Sequence, residues 1–308
     1  MTVAHTGQNE RQETLSGEAD GGPTAARIRL GTRLRRLRAD AEMSREEAGA
    51  AIRSSASKIA RLERGRSGIK VRDLTDLLAL YGADDELERE SLLALSRHGN
   101  VAGWWQRYGD AVPAWMKPFL GLEQAATLIR SYEPQAIPGL LQTPEYARAL
   151  LSLPRGSVRG PAGAPARERA ERQIAVRMRR QQILQRAEPP HLWAVIGEAA
   201  LRRPVGGAAV MRAQIGHLLE ISKLRHVNIQ MLPFRAGGHA GAGRPVALLR
   251  FAGEQLPDVV YLEQLTSASY PSGPSDLASY WNLLNQLATE ADPPIATAMI
   301  LNQIRNEL

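Results

Sequence analysis

Residues 44–68 read SREEAGAAIRSSASKIARLERGRSG, and this stretch limits the fold of the chain more than any other. It opens with an S-x-x-E capping box, in which Ser44 and Glu47 each satisfy a backbone amide of the other, so a helix begins at Arg45. The stretch contains too few large apolar side chains to form a core by itself. Its exposed side chains are therefore expected to contact something other than the interior of the protein.

A second short helix follows the first after a tight turn. The first helix ends near Ile52, because the next residues are rich in serine, which favours turns and caps. Ser55 caps the second helix, which reaches about Glu63, and Gly65 is placed to end it in a left-handed conformation. Gly49 carries no side chain where two helices of such a pair approach most closely. This arrangement is typical of a helix-turn-helix unit.

Leucines at helical spacing flank this pair on both sides. They are Leu30, Leu34 and Leu37 before it and Leu74, Leu77 and Leu78 after it. Each set forms one apolar stripe of an amphipathic helix. The segment from Arg27 to about Arg97 is therefore predicted to be helical throughout.

The same segment carries the positive charge of the chain. Between Arg27 and Arg72 there are 14 Arg or Lys residues against 5 Asp or Glu residues, a local net charge of +9, whereas the whole chain of 308 residues has +7. A phosphate backbone attracts a concentrated basic block of this kind. An arginine-biased, solvated surface would give the same count, so charge alone leaves both interpretations open.

Residues 27–83 resemble the XRE-type (lambda-repressor-like) helix-turn-helix family, and LERGRSG from Leu62 matches the end of its recognition helix. This chain departs from the usual family pattern at Arg53, where glycine is usual, and at Ala56, where glutamine is common. Arg53 either strains the turn or adds a phosphate contact. Ala56 removes a polar side chain from the surface that reads the bases.

The resemblance implies a role for individual residues. Base contacts in the major groove are expected from Ala56, Ser57, Lys58 and Arg61. Phosphate contacts are expected from Arg45, Ser55, Arg64 and Arg66. Arg38 and Glu63 are expected to form a structural ion pair between the first helix and the end of the recognition helix.

The periodicity changes in the second half of the chain. Short β-branched runs at 192–197, 227–233, 246–251 and 258–263 are predicted to be strands. Helices are predicted at 166–187, 208–223, 275–290 and 295–307, and a further one is capped by Thr143 after a loop that begins at Ser131. The predicted fold is therefore multidomain, an all-α helix-turn-helix domain followed by an α+β domain. The predicted boundaries are a disordered tail at 1–24, the helix-turn-helix domain at 25–98 and the α+β domain at 99–308.

The second region also has a recognisable pattern. Its segments PGLLQTPEYAR, IGEAALRRPVGG, VNIQMLPFRAGGH and VVYLE resemble the uncharacterised domain that follows XRE-type helix-turn-helices in many actinobacterial regulators. The resemblance implies that some of these regulators are antitoxin-like and pair with a small partner protein. It implies no defined chemistry for the domain.

Motifs for catalysis, metals and cofactors are missing from the sequence. There is no cysteine, the six histidines show no H-x-x-x-H spacing, and no G-x-S-x-G, P-loop or dinucleotide fingerprint occurs. Glu198, Arg202 and Arg203 form either a charged pocket or a structural network. We therefore expect no enzyme activity, no metal and no cofactor. A polar N-terminus and the lack of a long apolar run predict a cytoplasmic protein without membrane contact.

The expected function is that of a DNA-binding transcriptional regulator that reads the major groove of double-stranded DNA as a homodimer. Its second domain would hold the dimer together, bind a small partner protein or sense a small-molecule effector. The alternative is an antitoxin-like protein-interaction module that binds a small partner and contacts DNA for autoregulation.

Overall fold

The computed structural model describes residues 22–153, 164–239, 241, 243–253 and 256–308. The chain separates into two compact units. Of the described residues, the first unit contains 22–106, 118–125, 252–253 and 256–257, and the second contains the others. None of the described helices has the length and the apolar character needed to cross a membrane.

The first unit is helical. Its helices are α1 (Gly22–Asp40), α2 (Arg45–Ala51), α3 (Ala56–Glu63), α4 (Val71–Leu80) and α5 (Glu86–Asn100). Two further elements have residues in both units, a 3₁₀ segment over Trp104–Ala111 and helix α6 (Lys117–Ala125). Helix α1 begins before the predicted end of the disordered tail at residue 24. Thr24 is buried in this helix, so residues 22–24 are ordered, while residues 1–21 lie outside the described part of the chain.

Four successive helices of this unit end in the same way. After each of α1 to α4, a residue with positive φ allows two amides to bond back to the last turn, which is the Schellman arrangement. The four left-handed residues are Glu42, Arg53, Gly65 and Gly82, with φ between 52° and 66°. The predicted left-handed Gly65 is confirmed, and its amide donates to the carbonyl of Leu62 at 2.9 Å.

The predicted leucine stripes meet in one core. Leu30, Leu34 and Leu37 of α1 pack with Ile59 and Leu62 of α3 and with the three predicted leucines of α4, all of them at most 8% exposed. Gly31 lets α1 approach the end of α3, since an added Cβ would collide with the carbonyl oxygen of Leu62. This packing buries one side of α3 and leaves its other side outward.

The second unit is built on a mixed six-stranded sheet. Its strands are β1 (Leu128–Glu133), β2 (His191–Gly197), β3 (Val227–Leu232), β4 (Val246–Arg250), β5 (Val259–Glu263) and β6 (Ala268–Ser269). They lie in the order β3-β2-β1-β4-β5-β6, with β1, β2 and β3 parallel and β4, β5 and β6 antiparallel to their neighbours. The predicted fold class, an all-α region followed by an α+β region, is confirmed.

Strands β2 to β5 lie where the sequence predicts them, whereas β1 does not. The prediction placed the start of a loop at Ser131, yet Leu128–Glu133 forms a strand that pairs with β2 on one side and β4 on the other. Arg130 and Glu133 interrupt its apolar pattern, so no β-branched run is visible. Strand β6 has only two residues and was not predicted either.

Helices cover the sheet. They are α7 (Pro144–Ser152), α8 (Ala164–Gln181), α9 (Glu198–Arg202), α10 (Ala208–Ile221), α11 (Pro274–Glu290) and α12 (Pro294–Glu307). The predicted cap is present, because the Thr143 side chain accepts a hydrogen bond from the Tyr146 amide at 3.2 Å. The helix predicted over 166–187 ends earlier, where the chain tightens to a 3₁₀ turn over Gln182–Gln185. Helix α11 packs Leu284 and Leu287 against one sheet face, where Leu248 and Val260 are fully buried.

Candidate nucleic-acid interface

The start of α2 has the predicted capping box. The Ser44 hydroxyl accepts a hydrogen bond from the Glu47 amide at 3.2 Å, and the Glu47 carboxylate accepts one from the Ser44 amide at 2.8 Å. The hydrogen bond between the two side chains, followed by the one from the Ser44 amide, lowers the pKa of Glu47 below its ordinary value. Helix α2 therefore begins at a defined residue, which determines where its C-terminal turn lies.

The turn between α2 and α3 closes without a glycine in its left-handed position. Arg53 has φ of 52° there, its amide donates to the Ala50 carbonyl at 3.0 Å, and the Ser54 amide donates to the Gly49 carbonyl at 2.7 Å. An added Cβ on Gly49 would lie 2.9 Å from the carbonyl carbon of Ser55, so the close approach predicted at Gly49 is present. The Arg53 side chain is exposed beside the start of α3.

Helix α3 begins at a serine cap, as predicted. The Ser55 hydroxyl accepts a hydrogen bond from the Lys58 amide at 3.2 Å. Ile59 and Leu62 face the core, whereas Ser57 and Arg61 lie on the exposed side. Because these two residues are four apart, they are neighbours on one helix face, and the Arg61 guanidinium donates to the Ser57 hydroxyl at 3.2 Å.

The remaining predicted contact residues surround this face. Ala56 is half-buried at the start of α3, while Ser55, Arg64 and Arg66 are exposed. Arg45 is 41% exposed at its side chain and is also paired with Glu63. The amides at the start of α3 add positive partial charge next to these side chains. This surface offers hydrogen-bond donors and cations around a single exposed helix.

The end of α3 is held by a buried carboxylate between two arginines. Arg38 Nε lies 2.5 Å from Glu63 Oε1, and Arg45 Nε lies 2.8 Å from Glu63 Oε2. Arg38 also donates to the Met43 carbonyl at 2.5 Å, which ties α1 to the loop before α2. The pairing of Arg38 with Glu63 that the resemblance implies is thus present, while the part played by Arg45 was not foreseen.

Two opposing effects determine the ionisation of Glu63. Its side chain is 3% exposed, and burial by itself favours the neutral carboxyl. The hydrogen bonds from Arg38 and Arg45 outweigh this desolvation and hold the pKa of Glu63 below its ordinary value. The hydrogen bond to Glu63 in turn raises the pKa of Arg38. The carboxylate therefore stays charged and orients both arginines.

Lys58 lies differently from the other predicted base contacts. Its ammonium group is 2.9 Å from a carboxylate oxygen of Asp73 in the first turn of α4. It is thus turned towards α4, whereas Ser57 and Arg61 lie on the exposed side. The sequence contains no local signal for this pair, because Lys58 and Asp73 lie 15 residues apart on different helices.

In the second unit, the charged residues singled out from the sequence form a structural network. Glu198 accepts hydrogen bonds from Arg202 Nε at 2.6 Å and from the Phe234 amide at 2.8 Å. Arg202 also bonds to Glu307 at 3.0 Å, and Arg203 bonds to the side chain of Gln135 at 2.6 Å. Among the described residues, no cluster of three or more His, Asp or Glu side chains could hold a metal ion.

Two family models match the chain. Residues 29–92 match a helix-turn-helix domain, which contains α2, the turn and α3. Residues 116–303 match a domain of unknown function, DUF5753, and this match covers more than half of the chain. No curated protein and no solved structure matches the chain.

Proposed function

Because the chain belongs to the DUF5753 family and carries a helix-turn-helix domain ahead of that region, we propose that it is a sequence-specific DNA-binding transcription regulator. The observation that supports this proposal best is the outward face of α3. Ser57 and Arg61 lie side by side on it, while the opposite face is anchored in the core by Ile59 and Leu62. A rigid helix that presents polar side chains on one face suits the major groove.

The side chains on this face have the chemistry for reading base edges. The Arg61 guanidinium can donate two hydrogen bonds to O6 and N7 of guanine, and the Ser57 hydroxyl can donate or accept at several bases. Ala56 offers only an apolar contact, which suits a thymine methyl group. In this proposal Ser57 and Arg61 supply most of the discrimination between base sequences. Each good bidentate contact is worth about 1–3 kcal/mol against the wrong base.

The surrounding cations suit the phosphate backbone. Arg45, Arg64 and Arg66 would contact phosphates together with the Ser55 hydroxyl and the amides that begin α3. Arg53 joins this set, because its left-handed backbone leaves its side chain exposed beside Ser55. These contacts would position α3 without carrying sequence information.

The finer parts of the proposal concern assembly and setting. We infer a cytoplasmic homodimer that binds a pseudo-palindrome with half-sites about one helical turn apart, since a single half-site seldom gives enough affinity. The helix-turn-helix would be of the XRE type found in actinobacterial regulators. The DUF5753 region would hold the dimer together or sense a ligand, without a catalytic step of its own.

A second candidate function is that of an antitoxin-like module that binds a small partner protein. It is favoured by helix α12, where Ile295 and Met299 lie four residues apart and are 81% and 66% exposed. Adjacent apolar side chains on a solvent-facing helix suit a protein partner. Replacement of both by serine would abolish a stable complex with such a partner in size-exclusion chromatography and leave DNA binding unchanged.

The experiment that tests the regulator is a titration of the full-length protein with labelled duplex DNA from upstream of its own gene, in the presence of competitor DNA. Arg61→Ala is expected to weaken specific binding by about 10-fold or more, because a bidentate base contact is lost. Arg212→Ala, which removes an exposed arginine from α10 of the second unit, is the matched control and should leave binding unchanged. Equal binding to unrelated DNA, or equal effects of the two variants, would contradict the proposal.

A further inference from the structure

Lys58 is separated from the other basic side chains of α3 by an ion pair. Its ammonium group contacts Asp73 at 2.9 Å, and the two side chains are only 32% and 18% exposed. Arg61 on the same helix and Arg64, the residue that follows the helix, are exposed. The positive charge that Lys58 would bring to a DNA contact is therefore already neutralised within the protein.

The backbone positions of both partners favour this pair. The Lys58 amide is bonded to the Ser55 cap, so the residue sits in the first turn of α3 next to the buried Ile59. Asp73 lies in the first turn of α4, where the helix dipole stabilises a carboxylate. Since both side chains are partly buried, salt screens their attraction less than it screens exposed pairs.

We propose that Asp73 limits the overall affinity of the protein for DNA and its salt dependence, because it holds Lys58 in an internal ion pair and withdraws that cation from the phosphates. The inference rests on the proposed function and deepens it. Cations that contact phosphates strengthen binding to every sequence equally, so they raise affinity without raising discrimination. Withdrawal of one cation therefore lowers affinity for every sequence, while Ser57 and Arg61 still read the bases.

The variant Asp73→Asn releases Lys58 and should restore one phosphate contact. The slope of log affinity against log salt is then expected to become steeper by about 0.9, the contribution of a single neutralised phosphate. Affinity for DNA should rise several-fold at low salt, whether the duplex has the upstream sequence or an unrelated one. That gain should shrink by about 3.5-fold between about 50 and 200 mM salt, because it depends on released counterions.

The experiment measures fluorescence anisotropy of two labelled duplexes, one from upstream of the gene and one of unrelated sequence, over this range of salt. The full-length wild type is compared with Asp73→Asn, Lys58→Gln and the double variant. Asp76→Asn is the matched control, because Asp76 is an exposed aspartate one turn further along the same helix. Thermal unfolding checks each variant, and Asp73→Ser replaces Asp73→Asn if the asparagine variant melts early.

The expected result in Asp73→Asn alone is a steeper slope and a higher affinity at low salt for both duplexes, with the preference for the upstream duplex unchanged. Lys58→Gln should leave the slope of the wild type unchanged, and the double variant should match Lys58→Gln. The inference is overturned if the gain survives in the double variant, since the Asp73 charge would then act on phosphates directly. It is also overturned if Lys58→Gln lowers the slope or if Asp76→Asn has the same effect as Asp73→Asn. A wild type that binds neither duplex contradicts the proposed function itself, which is a separate outcome.

Discussion

Two buried charges, one in each unit, are held in opposite ways. In the helical unit, the buried Glu63 carboxylate lies between Arg38 and Arg45, so the charge is paired on both sides. In the sheet unit, the guanidinium of Arg130 is equally buried, yet it forms no ion pair among the described residues. One charge is thus neutralised by opposite charges, and the other is held by neutral groups.

The surroundings of Arg130 explain how an unpaired guanidinium can be buried. Its Cζ atom lies 4.7 Å from the ring centroid of Trp193 and 5.2 Å from that of Trp281. It donates hydrogen bonds to the side chain of Asn285 at 2.5 Å and to the carbonyl of Leu284 at 2.7 Å. Burial, and then the nearby Arg250, lower the pKa of Arg130. Aromatic faces and carbonyl dipoles replace water only in part.

Glu133 at the end of β1 shows the same contrast for a carboxyl group. Burial raises the pKa of Glu133 to about 8, and the carboxylate of Glu263 adds to the rise, although Arg180 opposes it. Glu63 remains ionised because the hydrogen bonds from its two arginines outweigh its desolvation. In Glu133 desolvation outweighs the attraction of Arg180, so the neutral carboxyl is favoured. Glu63 in the helical unit therefore stays charged, whereas the sheet unit contains a carboxyl whose pKa is raised to about 8.

The largest effect is expected for Arg38→Met, which would break the paired side of the comparison. Glu63 would stay buried with Arg45 as its only cation. Loss of the single partner of a buried charge costs about 3–5 kcal/mol, and because Arg45 remains, the loss here should lie near the lower end of that range. Chemical denaturation should report this loss. Arg35→Met, which changes an exposed arginine of the same helix, should stay within about 0.5 kcal/mol of the wild type.

A smaller, pH-dependent effect is expected for Glu133→Gln. The pKa of Glu133 in the folded protein, about 8, lies above the ordinary value of 4.5. Between these two pH values the folded protein binds this proton and the unfolded chain does not. The wild type therefore loses stability as the pH rises from 4.5 to 8. Glutamine does not ionise, so the variant does not lose stability in this way as the pH rises. The stability of the variant should match that of the wild type near pH 4 and exceed it by about 2 kcal/mol near pH 9. A shift of one pKa unit is worth about 1.4 kcal/mol, and the full value is reduced here because the group keeps some solvent contact.

Thermal unfolding as a function of pH measures this difference. Glu188→Gln, a change at an exposed glutamate of the same unit, provides the control and should show no such trend. A constant difference between Glu133→Gln and the wild type at all pH values would mean that the pKa of Glu133 is the same in the folded and the unfolded chain.

Arg130→Met makes in the sheet unit the same substitution as Arg38→Met in the helical unit, so the two changes in stability can be compared directly. No carboxylate loses its partner, and methionine occupies a similar volume between the two indoles. The expected change is therefore less than about 1 kcal/mol, since replacement of a buried charge by an apolar side chain is often neutral or stabilising. Arg130→Ala should cost more, because it leaves a cavity between the rings. A loss as large as that of Arg38→Met would show that the cation itself is required there.

The smallest effect concerns the two left-handed residues that are not glycine. Arg53→Gly and Glu42→Gly should each stabilise the helical unit by about 0.5 kcal/mol, because glycine adopts positive φ without strain. Denaturation of both variants measures this gain. Only Arg53→Gly should weaken DNA binding, since Glu42 follows α1 and carries no positive charge. Equal DNA binding by the two variants would remove Arg53 from the proposed phosphate contacts.

Features set by neighbouring residues could be predicted well. The capping box at Ser44, the cap at Ser55 and the left-handed Gly65 each depend on hydrogen bonds within a few residues, so their sequence signals are direct. The strands β2 to β5 were visible because their apolar runs are continuous. Strand β1 was not, since Arg130 and Glu133 belong to a polar environment that exists only once α8 and α11 cover the sheet.

The helix-turn-helix and the exposed face of α3 follow from the sequence alone, because helical periodicity places Ser57 and Arg61 opposite Ile59 and Leu62. Which cations remain available on that face depends on contacts between helices. Lys58 is tied to Asp73, whereas Arg45 pairs with Glu63 and still has 41% of its side chain exposed. Such pairs depend on distances that packing creates, and a linear pattern of charges contains no information about them.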